Sequence, residues 1–170
     1  MPPPGLTVKK DNFKAVERAI KQLVDRRIMV GVPAKEALRR PEPGQTQTVN
    51  NAMLAYLHEN GCPASNLPAR PFLKPAIEAS KVLIKDRLKA AAVDGLKGRV
   101  SAVDQAMHAL GLAVSLAVKL KINTGPFQPL SERTIAQRRA RGRYGDKPLI
   151  DTGQLRNAIT YVLRRVRGVS

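Results

Sequence analysis

The stretch Ser101-Ala102-Val103-Asp104-Gln105-Ala106-Met107-His108-Ala109-Leu110-Gly111-Leu112-Ala113-Val114-Ser115-Leu116-Ala117-Val118-Lys119-Leu120-Lys121-Ile122 decides the fold class. Val103, Met107, Leu110, Val114, Ala117 and Leu120 recur at three- and four-residue steps, the period of an α-helix. Alanines fill much of the remaining circumference, so the helix is apolar well beyond one stripe. A helix of that kind lies at the centre of its core or at a subunit interface. Ser101 and Asp104 read as a capping-box-like start, with Asp in place of the usual Glu or Gln.

Working upstream, Pro75 can stand in the first turn of a helix, where its missing N–H costs little. That helix is expected to reach about Val93, with Ile77, Leu83, Ile84 and Leu88 on one face and Gly95 and Gly98 breaking it. Residues 62–75 contain Pro63, Pro68, Pro71 and Pro75 and are expected to be extended. A short helix is expected from about Val49 to Glu59, with Met53, Leu54 and Leu57 inward and Gly61 as its stop. Asp11 can cap a helix carrying Phe13, Val16, Ile20, Leu23 and Val24. Ile28-Met29-Val30-Gly31-Val32 reads as a buried strand stopped by Pro33. Residues 33–48 read as a loop or projecting hairpin, and the Pro-rich residues 1–9 as a flexible arm.

Downstream, Ser131 is expected to cap a short basic helix ending near Arg139. Arg141 to Pro148 is turn-rich and reads as mobile. Asp151 or Thr152 is expected to cap a last helix over Leu155–Ile159. Thr160–Val166 is β-branched and aliphatic with interspersed Arg, which fits a strand with one solvated face. The expected architecture is α+β: long helices on a small, mostly antiparallel sheet. Residues 10–170 form one domain, with loops near 33–48 and 123–150.

The chain has 170 residues, of which 43% are hydrophobic, enough for a real core. Three Phe, three Tyr and no Trp make that core thin, and part of the Ala-rich surface is expected to find its partner on a neighbouring subunit. Thirty Lys and Arg against 13 Asp and Glu give a formal charge of +17, which favours polyanionic partners. Residues 131–170 are the more basic part, with 10 basic and 3 acidic side chains, nearly all of the former Arg. A single cysteine excludes an internal disulfide framework and points to synthesis in a reducing cytosol. The N-terminus does not read as a signal peptide, and no apolar run approaches the roughly 20 residues that cross a bilayer, so no membrane partner is expected.

The sequence lacks the usual catalytic and metal-binding constellations. There is no phosphate-binding G-x-x-x-x-G-K loop, and Gly95-Leu96-Lys97-Gly98 reads as a helix terminator. His58-Glu59 has no second His one turn later, so a zincin helix is excluded. His58 and His108 are expected on helix surfaces. Cys62 lies past a helix C-terminus, where the dipole opposes a thiolate. No catalytic residue, metal ligand or cofactor is assigned. The cluster Arg138, Arg139, Arg141 and Arg143 with Lys147 has three readings: a solvated loop, a phosphate-contacting loop, or a contact to an acidic partner face. Any DNA contact there would be to backbone, without sequence preference.

Three stretches in order carry a resemblance. They are Tyr56–Gly61 followed by Leu67-Pro68-Ala69-Arg70-Pro71-Phe72-Leu73-Lys74-Pro75-Ala76; Pro129-Leu130-Ser131-Glu132-Arg133-Thr134-Ile135; and Pro148-Leu149-Ile150-Asp151-Thr152-Gly153-Gln154-Leu155-Arg156-Asn157-Ala158-Ile159-Thr160-Tyr161. Spanning roughly residues 50–162, this order resembles the tailed-phage virion-morphogenesis and tail-completion proteins, related to neck and head–tail joining components. The resemblance implies a structural, non-enzymatic virion protein, made in the host cytoplasm and forming a homo-oligomeric ring at the neck or tail end. DNA would pass through that ring, and portal-side connector and tail proteins would adjoin it. A tail terminator capping the tail tube is one alternative. A non-sequence-specific nucleic-acid-binding accessory protein, motivated by charge, is another. Arg70, Pro71, Phe72, Asp151, Thr152, Gly153 and Leu155 are expected to define the fold, with Phe72 plugging the core. Arg138, Arg139, Arg141, Arg143 and Lys147 are the candidate DNA-facing residues.

Overall fold

A computed structural model describes residues 11–41 and 49–166. The expected N-terminal arm and residues 42–48 of the expected loop or hairpin lie outside the described residues. The elements in order are α1 (Phe13–Val24), β1 (Arg26–Gly31), α2 (Asn51–Asn60), α3 (Leu73–Ala79), α4 (Lys81–Leu96), α5 (Val100–Thr124), α6 (Glu132–Ala140), α7 (Gln154–Ala158) and β2 (Thr160–Arg165). Short 3-10 turns cover Ala34–Glu36 and Pro63–Ser65. The result is α+β, with helices packed on a two-stranded antiparallel ribbon.

The 25-residue α5 is the hub. It packs against α1, α3, α4, α7 and both strands. Val103, Met107, Leu110, Gly111, Val114, Ser115, Val118 and Ile122 are its buried residues. Burying each large aliphatic among them stabilises the fold by about 1.5–3 kcal/mol. Leu120, expected inward, is instead 59% exposed, because the neighbours of α5 cover only part of its circumference. The helix begins earlier than expected, with Arg99 at its N-cap and no side-chain cap. Asp104 is an ion-pair partner of Arg26 rather than a member of a capping box. By length and composition α5 also meets the criterion for a membrane span, contrary to the expectation that no stretch would. Only 33% of that window is buried, so packing on the core accounts for one side of the helix and not for its exposed leucines.

Strands β1 and β2, more than a hundred residues apart in sequence, pair from Arg26↔Arg165 to Gly31↔Thr160. The expected buried strand at Ile28–Val32 is therefore half of a ribbon. Its burial alternates, and Met29 is 48% exposed. The ribbon lies so close to α5 that a Cβ on Gly111 would sit 2.3 Å from Cδ2 of Tyr161. Only glycine permits that approach.

Several boundaries move for local reasons. The helix expected over 75–93 is two helices, meeting at Ser80, whose hydroxyl donates to Ala76 O at 2.8 Å. Gly95 does not break α4; it is buried within it against Ala19 of α1. Gly98, at φ +73°, ends the turn that follows. On α4, Leu83 and Leu88 stay exposed while Ala91 and Gly95 are buried. In α1, too, Ala19 is the buried residue, and Phe13, Ile20 and Val24 face out. Met53 of α2 is half exposed while Asn51 is buried, its amide donating to Glu36 O and Leu38 O. Residues 62–75 are not wholly extended, since Cys62 and Leu67 bridge around the Pro63–Ser65 turn.

Other expectations hold. Asp11 Oδ1 accepts from Phe13 N at 2.9 Å, with Asn12 at the N-cap position itself. Gly61 ends α2 at φ +78°, and Ser131 caps α6 by accepting from Thr134 N at 3.3 Å. Phe72 is 2% exposed and anchors a core cluster with Ala76, Val118, Ile122, Leu149 and Ile159.

Candidate functional site

The three stretches that carry the resemblance are far apart in sequence and meet at one cleft. His58 from α2, the segment Asn66–Pro68 and Arg70 form one wall. Gln128 to Ser131 and Thr134 and Arg138 of α6 form a second, and Leu149 with Asp151 to Leu155 a third. The cleft encloses about 560 Å³. Arg39, from the segment after the Ala34–Glu36 turn, also lines it.

Arg70 is the pivot. It is 5% exposed, and it donates from Nε to Gln128 O at 2.9 Å and from Nη2 to Pro129 O at 3.1 Å. It therefore ties the Pro-rich segment to the start of the second stretch. The next residues enter α3 under a carboxylate. Glu59 accepts from Phe72 N and Leu73 N through Oε2, each at 2.8 Å, and from Lys74 N through Oε1 at 2.9 Å. These are orphan amides of a helix start, and an anion there is favoured by the helix dipole. Asn50 caps α2 itself, accepting from Met53 N at 2.7 Å.

His58 lies in this cleft rather than on the solvated helix surface where it was expected. Burial pushes its pKa down to about 4, helped by the positive charges of Arg70, Arg39 and Arg138. The ring is thus neutral at neutral pH. Its Nδ1 is buried with no hydrogen-bond partner among the described residues. The guanidinium of Arg70 also has its pKa lowered, by burial and then by Arg138. Three arginines converge here on a neutral imidazole. The cleft is built for negative charge.

The candidate DNA-facing residues separate into two groups. Arg138 Nη1 donates to Gly145 O and Lys147 O at 3.0 Å and to Ile150 O at 2.9 Å, and its Nε stands 3.6 Å from Asp151 Oδ1. The loop expected to be mobile is therefore pinned around this side chain. Arg143 pairs with Asp151 Oδ2 at 2.5 Å. Arg139, Arg141 and Lys147 remain exposed at the surface. Asp151 joins Arg138 to Arg143 instead of capping α7, whose N-cap is Gly153 at φ +74° with no side-chain cap. Thr152 and Gly153 line the cleft, Leu155 is buried in the core, and Pro71 stays exposed at the surface.

The remaining reactive groups lie apart. Cys62 Sγ contacts Ser65 Oγ at 3.5 Å, and His108 Nδ1 is 3.1 Å from the Tyr161 hydroxyl. Among the described residues no three His, Cys, Asp or Glu side chains gather in a metal-binding group.

One surface escaped the sequence reading, and a second was foreseen only as a general expectation of exposed apolar helix. Pairing of β1 with β2 sets Arg26 opposite Arg165 and Arg27 opposite Arg164. Like charges directly across a ribbon repel, and the Arg26–Asp104 ion pair relieves part of that. The interspersed Arg164 and Arg165 signalled a solvated face, but nothing local announced their partners. The second surface is the outer side of α5, where Leu112, Leu116 and Leu120 are 52%, 53% and 59% exposed one turn apart. Exposed Val82, Val93 and Leu96 on α4 add to the apolar surface. Comparison with protein-family models, with curated proteins and with solved structures finds no match to this chain.

Proposed function

We propose that this chain is a structural, non-enzymatic subunit of a tailed-phage particle. It would form a homo-oligomeric ring at the neck or tail end, with DNA passing through it. The observation that carries this reading is the leucine stripe Leu112, Leu116 and Leu120 on a helix whose other side is the core. A contiguous apolar face of that kind marks an interaction surface. The ordered resemblance supports the same reading, as does a net charge of +17, which suits weak, salt-screened contact with passing DNA. Portal-side and tail proteins would adjoin the ring, with a tail-terminator position as the variant of this role. Synthesis would be in the host cytoplasm and residence in the virion.

Light scattering on the purified chain and imaging of particles test it. The expected result is a closed oligomer that Leu112→Glu with Leu116→Glu converts to a folded monomer. A wild-type chain that stays monomeric at high concentration and is missing from particles would defeat the proposal. The charge also favours a second reading, a free nucleic-acid-binding accessory protein. That reading requires salt-sensitive DNA binding by the isolated monomer, weakened when exposed Arg139 is replaced by Ala.

A further inference from the structure

The arginine cleft offers more than a structural joint. Arg39, Arg70 and Arg138 line it together with Asp151, which is held at 2.5 Å by Arg143 at the outer edge. Arg70 is almost fully buried, its Nε and Nη2 facing backbone carbonyls of the opposite wall. Positive groups brought together at the cost of desolvation and mutual repulsion are stabilised by an incoming anion. A guanidinium is suited to receive a carboxylate through paired N–H donors.

The other walls narrow the class of anion. Leu54, Leu67 and Leu130 give the cleft aliphatic flanks. Among the described residues no Phe, Tyr or Trp lines it, and the half-buried His58 imidazole is the single aromatic ring present, so it offers no extended stacking platform for a base. At about 560 Å³ it is also a recess into which a side chain can reach, not a groove that follows a duplex backbone.

We propose that this cleft docks an acidic segment of a different protein, with carboxylates on the arginines and aliphatic side chains against the leucines. A second copy of this chain is a poor source of such a segment. Its 13 acidic residues are scattered, and no two stand closer than the five positions between Asp146 and Asp151. In the ring reading the occupant belongs to an adjoining particle protein, but the cleft itself does not depend on a ring.

The test uses the full chain and a short capped peptide of alternating glutamate and leucine. Its glutamine counterpart and a short thymidine oligonucleotide serve as the comparison arms. Fluorescence anisotropy is expected to show saturable, salt-sensitive binding of the acidic peptide and none of the glutamine peptide. Arg39→Glu, a substitution outside the core, is expected to weaken binding by about tenfold or more, the scale of losing a charge-assisted pair. In the wild-type chain the His58 ring resonances are expected to shift on binding and to titrate at higher pH, since a bound anion offsets the arginine field. This NMR readout needs no variant and holds even if Arg39→Glu fails to fold.

Equal binding of both peptides, no binding, or binding that leaves His58 untouched would overturn the proposal. So would a competing oligonucleotide that binds tighter at the same cleft. The titration is run on whatever oligomer the chain forms, so a monomer would remove the ring reading and leave this one standing.

Discussion

Glu59, at the penultimate position of α2, holds the first turn of α3 through the backbone N–H of Leu73 at 2.8 Å. Thirteen residues of Pro-rich chain separate the two, yet one carboxylate takes three consecutive amides, those of Phe72, Leu73 and Lys74. Phe72 is in the same stroke driven into the core beside Val118 and Ile122.

Glu59→Gln is expected to destabilise the fold by about 1–2 kcal/mol, the range for losing a charged helix cap. Glu59→Ala should cost at least as much. Urea unfolding followed by circular dichroism measures both, and a value within experimental error of wild type would refute the capping role.

Arg138 and Arg139 are neighbours with opposite fates. Arg138→Ala strands the carbonyls of Gly145, Lys147 and Ile150 that its guanidinium now satisfies. A loss of about 2–3 kcal/mol follows, with faster proteolysis in residues 141–150. Arg139→Ala, on an exposed surface, should change stability by no more than about 0.5 kcal/mol. Equal effects of the two substitutions would contradict this placement.

Gly111→Ala sets a methyl group into the ring of Tyr161. The ribbon must move off α5, and overpacking of this kind costs about 1–3 kcal/mol. Tyr161→Ala in the same chain should recover part of the loss, so a double-mutant cycle would give a coupling well away from zero.

His58 makes stability depend on pH. Its folded pKa, about 4, lies below the ordinary value of 6.5. Between those values the unfolded chain binds a proton that the folded chain refuses, so stability falls as pH drops from about 6.5 to about 4 and levels off below. The loss from this one group is on the order of 2–3 kcal/mol after allowance for partial exposure. His58→Gln is expected to flatten that part of the stability–pH curve. An NMR titration placing the His58 pKa near 6.5 would overturn the account.

Much of the molecule was legible in one dimension. The helical period of residues 101–122, the stop at Gly61, the cap at Ser131 and the strand after Thr160 each rest on contacts within a few residues, and all four appear in the fold. The roles of His58, Glu59 and Asp151 were not legible in this way. His58 read as a surface side chain and Asp151 as a helix cap because local patterns assign polar residues to solvent or to the nearest helix end.

Sequence alone determined the helical hub, the Arg-rich charge and the order of the three motif stretches, since periodicity, composition and turn chemistry act over one or two turns of chain. Tertiary structure alone decided that those stretches close on one cleft, that Arg138 faces inward while Arg139 faces out, and that four arginines meet across the β1–β2 ribbon. The physical reason is range. A guanidinium or carboxylate binds whatever donor or acceptor packing brings within about 3 Å, and packing of the whole chain on α5 sets those distances.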